Sequence, residues 1–132
     1  MKILQVVHSF PPYTCAGTEV YTHSLSCELS KQHEIFIFHR FNDLEKNEYE
    51  VFETSYNSLR LCAINNTFRD YDTFELTYKN QNIGNKFSTV LDRIKPDIVH
   101  VQHLLYLSTN IIEEIRKRKI PILFTLHDYW LI

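Results

Sequence analysis

The sequence predicts an α/β fold built on a mainly parallel sheet with helices on both faces. Three observations carry this. Short apolar runs alternate with amphipathic stretches along the whole chain, the order expected of strand–helix–strand units. The first run, Ile3, Leu4, Val6 and Val7, lacks the strict alternation of a half-exposed strand and suits burial on both faces. Length and composition allow it: 132 residues, 44% hydrophobic and 23% charged, are enough for one core.

Each element follows from local pattern. Residues 2–8 form the opening strand, and Pro11-Pro12 ends it because neither proline can donate to a ladder. Over residues 18–31 the period lengthens: Tyr21, Leu25 and Leu29 recur every four residues, with Thr18 as N-cap and Glu19 in the first turn. Residues 34–39, β-branched and aromatic, predict a second strand, and residues 58–64 a third. The polar stretch 40–57 reads as loop, and 65–75 as irregular. A helix is expected over 76–94 with Gly84 inside it, stopped by Lys95-Pro96-Asp97. Then follow a strand at 98–101, a helix at 104–119 and a last strand at 122–126. The ending Tyr129-Trp130-Leu131-Ile132 is apolar directly after a strand, which suggests a truncated chain or a covering partner.

Charge and cysteine usage narrow the function. Fourteen Lys+Arg stand against 16 Asp+Glu, too balanced for a nucleic-acid binder driven by phosphate charge. No apolar run reaches the ~20 residues of a membrane span, and residues 1–8 do not read as a signal peptide. Cys15, Cys27 and Cys62 share no CxxC spacing, so a reduced, cytoplasmic protein is expected. The sequon Asn65-Asn66-Thr67 carries no weight without secretion. The basic run from Arg116 to Lys119 is either a solvated helix end or a patch for peripheral contact with the inner face of a membrane.

Ligands of open parallel sheets bind beyond the carboxyl ends of the strands. That directs attention to residues 9–19, His39-Arg40, Gln102-His103 and His127-Asp128. Cys15-Ala16-Gly17-Thr18-Glu19 leads into a helix, whose first N–H groups favour an anion. With only 2 glycines in the chain, where about 9 would be average, Gly17 needs a reason: ligand approach or turn geometry alone. His100 and His103 have HxxH spacing, yet positions three apart on a strand face opposite sides. His100 therefore reads as a core histidine and no metal site is expected. His127 can orient a hydroxyl or handle a proton, while Asp128 serves as a ligand contact or an N-cap.

Three segments in order, residues 1–38, KPDIVHVQHLL and KIPILFTLHDYWLI, resemble the N-terminal domain of GT-B glycosyltransferases. The likeness is to the large retaining family that includes glycogen and sucrose-phosphate synthases. It covers residues 1–39 and 95–132, whereas 40–94 agree only in layout. The resemblance implies a Rossmann-like, acceptor-side domain of a nucleotide-sugar-dependent transferase. The nucleotide sugar is a substrate of the full-length enzyme, and no cofactor or obligatory metal is implied. The family's glycine turn corresponds to Ala16 and Gly17, facing the donor diphosphate. The histidine of its TxHD strand corresponds to His127, beside the transferred sugar. His103 corresponds to a cleft contact, and Glu19 to an acceptor-side or loop-organising residue. Two departures are visible: Ala16 replaces the first glycine of the pair, and Lys31-Gln32-His33-Glu34 replaces an RGHE-like turn.

One incomplete domain over residues 1–132 is therefore expected. It would be inactive without a C-terminal donor-binding domain or complementary chain, and would serve a sugar or glycolipid acceptor, not nucleic acid. The alternative is a nonenzymatic Rossmann-like interaction module, or a degenerate remnant.

Overall fold

The computed structural model describes residues 1–129. Strands β1 (Lys2–Val7), β2 (Glu34–Phe41), β3 (Val51–Tyr56), β4 (Leu59–Asn65), β5 (Ile98–Val101) and β6 (Ile122–Phe124) form one sheet. Its order is β3-β4-β2-β1-β5-β6, parallel throughout except for the β3–β4 pair. Helix α1 (Gly17–Leu29) packs on the face made by Ile3, Val7, Ile35, Ile37, Leu59 and Leu61. Helices α2 (Gln81–Ile94) and α3 (Asn110–Lys117) cover the other face, where Leu4, Val6, Phe38, Ile64, Val99 and Val101 meet Ile83, Phe87, Leu91, Ile111 and Ile115. This is the expected α/β architecture with helices on both faces.

Four local expectations change. Residues 40–57 contain β3, an edge strand whose half-exposed side chains hide it from a reading based on burial. Asn57 and Ser58, both at positive φ, form the two-residue hairpin turn to β4. The helix expected from residue 76 starts at Gln81, after a single 3₁₀ turn over Phe74–Thr77. Asn80 caps it, its side chain accepting from the N–H groups of Asn82 and Ile83. The helix expected from 104 starts only at Asn110; Leu104 and Leu107 are buried from a loop.

The fourth change concerns α1. Its N-cap is Ala16, with no side-chain cap, in place of Thr18. Its buried face is Glu19, Thr22 and Ser26, whereas Val20 and Tyr21 are 49% and 46% exposed. The polar Gln5 and Ser26 are among the buried residues of this region. The apolar stripe anticipated through Tyr21 is therefore not the seam; Cys27 and Leu29 alone reach the apolar cluster beneath. Gly84 does lie within α2, and there a Cβ would come 2.8 Å from Cβ of Asn110, so glycine permits the close α2–α3 crossing.

The sequon is structural. Asn65 and Asn66 are fully buried, Asn65 Oδ1 accepting from the Asp43 N–H and its Nδ2 donating to the Asp43 and Asn47 carbonyls. Among the described residues no helix is long and apolar enough to cross a membrane. Trp130 to Ile132 lie outside the described residues.

Candidate active site

Because β1, β2, β4, β5 and β6 run parallel, the loops that follow them gather on one edge. Chain order reverses between β1 and β5, the place where open α/β sheets leave a crevice. A cleft of about 370 Å³ opens there. Ala16, Gly17, Glu19, His103, His127 and Asp128, all six residues singled out in the sequence, line it together with His8, Thr18 and Leu105.

Two imidazoles form its floor. His8 follows β1 and His103 follows β5, and their rings meet edge to face with centroids 4.8 Å apart. His8 Nε2 lies 3.0 Å from Glu19 Oε1, joining the strand end to the first turn of α1. Glu19 is 2% exposed, and its second oxygen, Oε2, is buried without a hydrogen-bond partner. His103 Nδ1 accepts from the Leu105 backbone N–H at 3.0 Å, so its proton resides on Nε2, which reaches Asp128 Oδ2 at 3.1 Å. Burial lowers the proton affinity of His8, and the Glu19 carboxylate pulls the other way.

His127 is held from below. Its Nε2–H donates to Gln102 Oε1 at 2.8 Å. Gln102, 1% exposed, turns its amide nitrogen to Gln5 Oε1 at 2.9 Å and to the His100 ring, Nδ1 lying 3.2 Å away. His100 in turn meets Thr125 Oγ1 at 2.8 Å. One buried polar chain thus links β1, β5 and the strand end after β6, and fixes the His127 imidazole (its donor nitrogen assigned from the acceptor it faces). Tyr21 packs edge to face on the same ring, centroids 5.1 Å apart. Desolvation and the nearby His103 lower the His127 pKa, against the pull of Asp128 and Glu19.

Gly17 is decided by space. Its φ is not positive, and a Cβ built there would meet nothing within 4 Å. Turn geometry therefore does not require glycine, and what the residue provides is open room before the N-terminus of α1. The first backbone N–H groups of that helix have no intrahelical acceptor and no side-chain cap.

The structure also separates residues the sequence had grouped. His39 ends a strand but is 1% exposed, facing Phe10 at 6.0 Å between ring centroids and donating from Nδ1 to the Arg40 carbonyl. It is a core residue. His100 is likewise buried, as expected. Among the described residues, no group of three or more His, Cys, Asp and Glu side chains could hold a metal ion. Two residues of the site escaped the sequence reading: His8, which read only as the end of the opening strand, and Tyr21, which read as core. For His8 the available signal was its place at a strand end; for Tyr21 the sequence offered none.

A mostly parallel sheet wound about a β1/β5 crevice, with an uncapped helix N-terminus over it, is the open Rossmann-like α/β architecture shared with GT-B N-terminal domains. The chain belongs to Glycosyltransferase Family 4, whose profile matches residues 16–131. It is 28% identical to an uncharacterized 42.6 kDa protein of the Klebsiella pneumoniae cps region, over all of this chain and 38% of that protein. Two solved structures share the fold. Sucrose-phosphate synthase from Thermosynechococcus elongatus superposes with a TM-score of 0.64 at 16% identity, over 96% of this chain and 33% of that one. A structure described as trehalose-6-phosphate from E. coli bound with UDP-2-fluoro glucose gives 0.57 at 16% identity, with the same coverages. The chain thus spans about a third of the length of the proteins it matches.

Proposed function

We propose that this chain is the acceptor-side half of a nucleotide-sugar-dependent, retaining glycosyltransferase, working with a C-terminal donor-binding domain or a complementary chain. The observation that carries the reading is the unobstructed N-terminus of α1 at Gly17, opening on the cleft that holds His127. In glycosyl transfer the bond between the anomeric carbon and the diphosphate breaks, the acceptor hydroxyl oxygen forms the new bond on the same face, and the hydroxyl proton passes to the departing diphosphate oxygen. Negative charge grows on the departing diphosphate, which the uncapped N–H groups and helix dipole are suited to receive. His127, oriented by Gln102, contacts the transferred sugar. His103 and Asp128 line the acceptor side. The His8–Glu19 pair holds the helix start against the strand end.

The family and the fold support a glycosyltransferase part, and the fractional coverage of the relatives supports a missing donor half. The chain by itself is therefore inactive in this reading. The test assays nucleotide-sugar turnover by the chain alone and by the chain joined to a donor-binding half, each with and without Gly17→Val. Turnover is expected only in the joined form. Gly17→Val should raise the donor KM at least tenfold while the melting temperature holds, since the added side chain meets no protein atom within 4 Å of its Cβ. An unchanged donor KM, or turnover by the chain alone, overturns the reading.

A further inference from the structure

Arg40 occupies an unusual position on the same rim. It is the penultimate residue of β2, and the β1–β2 register pairs Val7 with His39, which makes Arg40 the neighbour of His8. Its guanidinium is half-buried against two aromatic rings from different loops, which lie side by side with centroids 5.4 Å apart. Cζ lies 4.4 Å from the Phe68 ring centre, in the loop after β4, and 5.3 Å from that of Tyr106, in the loop after β5. Nε donates to the Asn66 carbonyl at 2.8 Å. This packing is itself braced: Asn66, fully buried, donates from Nδ2 to the Tyr71 hydroxyl at 2.8 Å and to the Tyr106 carbonyl at 2.9 Å. Phe68 and Tyr106 both sit at positive φ, 66° and 60°, a region bulky residues rarely adopt.

Among the described residues this guanidinium has no counter-ion in contact. Arg60, Arg69, Arg93 and Arg118 each meet a carboxylate at 2.7 to 3.1 Å. Among the described residues no carboxylate forms an ion pair with Arg40. The nearby Glu48 is already engaged, accepting from Thr67 N–H and Oγ1 and from Arg69 Nε. Partial burial of an unpaired charge costs free energy, which the two aromatic faces offset only in part. With Nε bonded to the Asn66 carbonyl and two rings packed against one side, the terminal N–H groups remain. Their fixed fork matches a carboxylate or a phosphate.

We propose that Arg40, packed against Phe68 and Tyr106, selects an acceptor that bears an anionic group, a carboxylate or a phosphate on the sugar. This rests on the glycosyltransferase reading and names the substrate class of its acceptor subsite. The anion lies on the β2 side of His8, away from His127, and so fixes which end of the acceptor faces the reacting centre. Arg40 acts in binding and selection, not in bond making.

The test titrates the labelled chain with glucuronate, glucose 6-phosphate and glucose, following the backbone amide resonances of His8, Phe68 and Tyr106, which every variant retains. At least one anionic sugar should bind tenfold or more tightly than glucose, and the arm that does so identifies the anion. Arg40→Met should abolish that preference. Arg40→Lys, which keeps the charge but loses the fork and is tolerated more easily, should reduce it at least fivefold. Arg60→Met, at the opposite edge of the sheet, should leave it unchanged. Equal binding of all three sugars, or a preference that survives either Arg40 variant, overturns the proposal. The two readings fail separately. A joined enzyme that transfers to neutral and anionic acceptors alike refutes only the role of Arg40. A chain that selects anions through Arg40 but never turns over a nucleotide sugar refutes only the transferase.

Discussion

Acidification should destabilise this protein through His39, and the size of the effect follows from its surroundings. His39 is 1% exposed, its Nδ1–H donates to the Arg40 carbonyl, and its Nε2 is buried without a partner. Desolvation therefore lowers its pKa to about 4, opposed only by that backbone hydrogen bond. In the unfolded chain the value is about 6.5, so below that pH the unfolded state binds the extra proton and stability falls as pH falls. Between pH 7 and pH 4 the loss from this residue amounts to about 3 kcal/mol, a large share of an ordinary folding free energy. Other histidines contribute in the same direction, and a difference measurement removes them. His39→Asn sets an amide nitrogen where Nδ1 was, keeps the donation to the carbonyl, and does not titrate. It costs stability at neutral pH through the cavity left by the rest of the ring. Urea unfolding of both proteins at pH 7 and pH 4 should show the penalty of the substitution shrinking by about 3 kcal/mol on acidification. Parallel pH dependences would mean that His39 is not buried neutral, and the argument would fall.

Three further outcomes can be checked directly. Gly84→Ala gains about 1 kcal/mol of helix propensity but drives a Cβ against Asn110, an overpacking that costs about 1–3 kcal/mol, so a lowered melting temperature is expected, and an unchanged or raised one would refute the role of Gly84 in the crossing. Gln102→Leu strips partners from the buried Gln5 and from His127 Nε2–H; about 2–4 kcal/mol should be lost in a denaturant melt, and a change under 0.5 kcal/mol would show the network to be incidental. His127→Ala in the joined enzyme should lower kcat by about 10²–10³ with the melting temperature nearly unchanged, and retained kcat would remove His127 from the reaction.

The amino-acid order alone determined much of this molecule. Alternating apolar runs and amphipathic stretches specify strands and helices because period 2 and period 3.6 are local properties. The parallel sheet follows, and with it the edge where ligands bind. Strand ends narrowed the search to the segments around residues 9–19, 102–103 and 127–128, and the resemblance to GT-B N-terminal domains then singled out Ala16, Gly17, Glu19, His103 and His127 within them, with Asp128 beside them. Elements defined by partners rather than by their own pattern stayed hidden. β3 is half-exposed and polar, held by pairing with β4, and α3 starts late because residues 104–109 bury Leu104 and Leu107 without helical hydrogen bonds.

Tertiary structure decided which strand-end side chains meet. His39 and His103 occupy equivalent places in the sequence, yet one lies under Phe10 and the other in the cleft. Only the register of β1 with β5 brings His8 to His103, residues 95 positions apart. Only the loops after β4 and β5, folded back to the end of β2, close two aromatic rings on Arg40. Periodicity fixes how a segment folds against a surface. Which surface it finds, and which charges are left without a partner there, depends on contacts between segments far apart in the chain, and these no local pattern encodes.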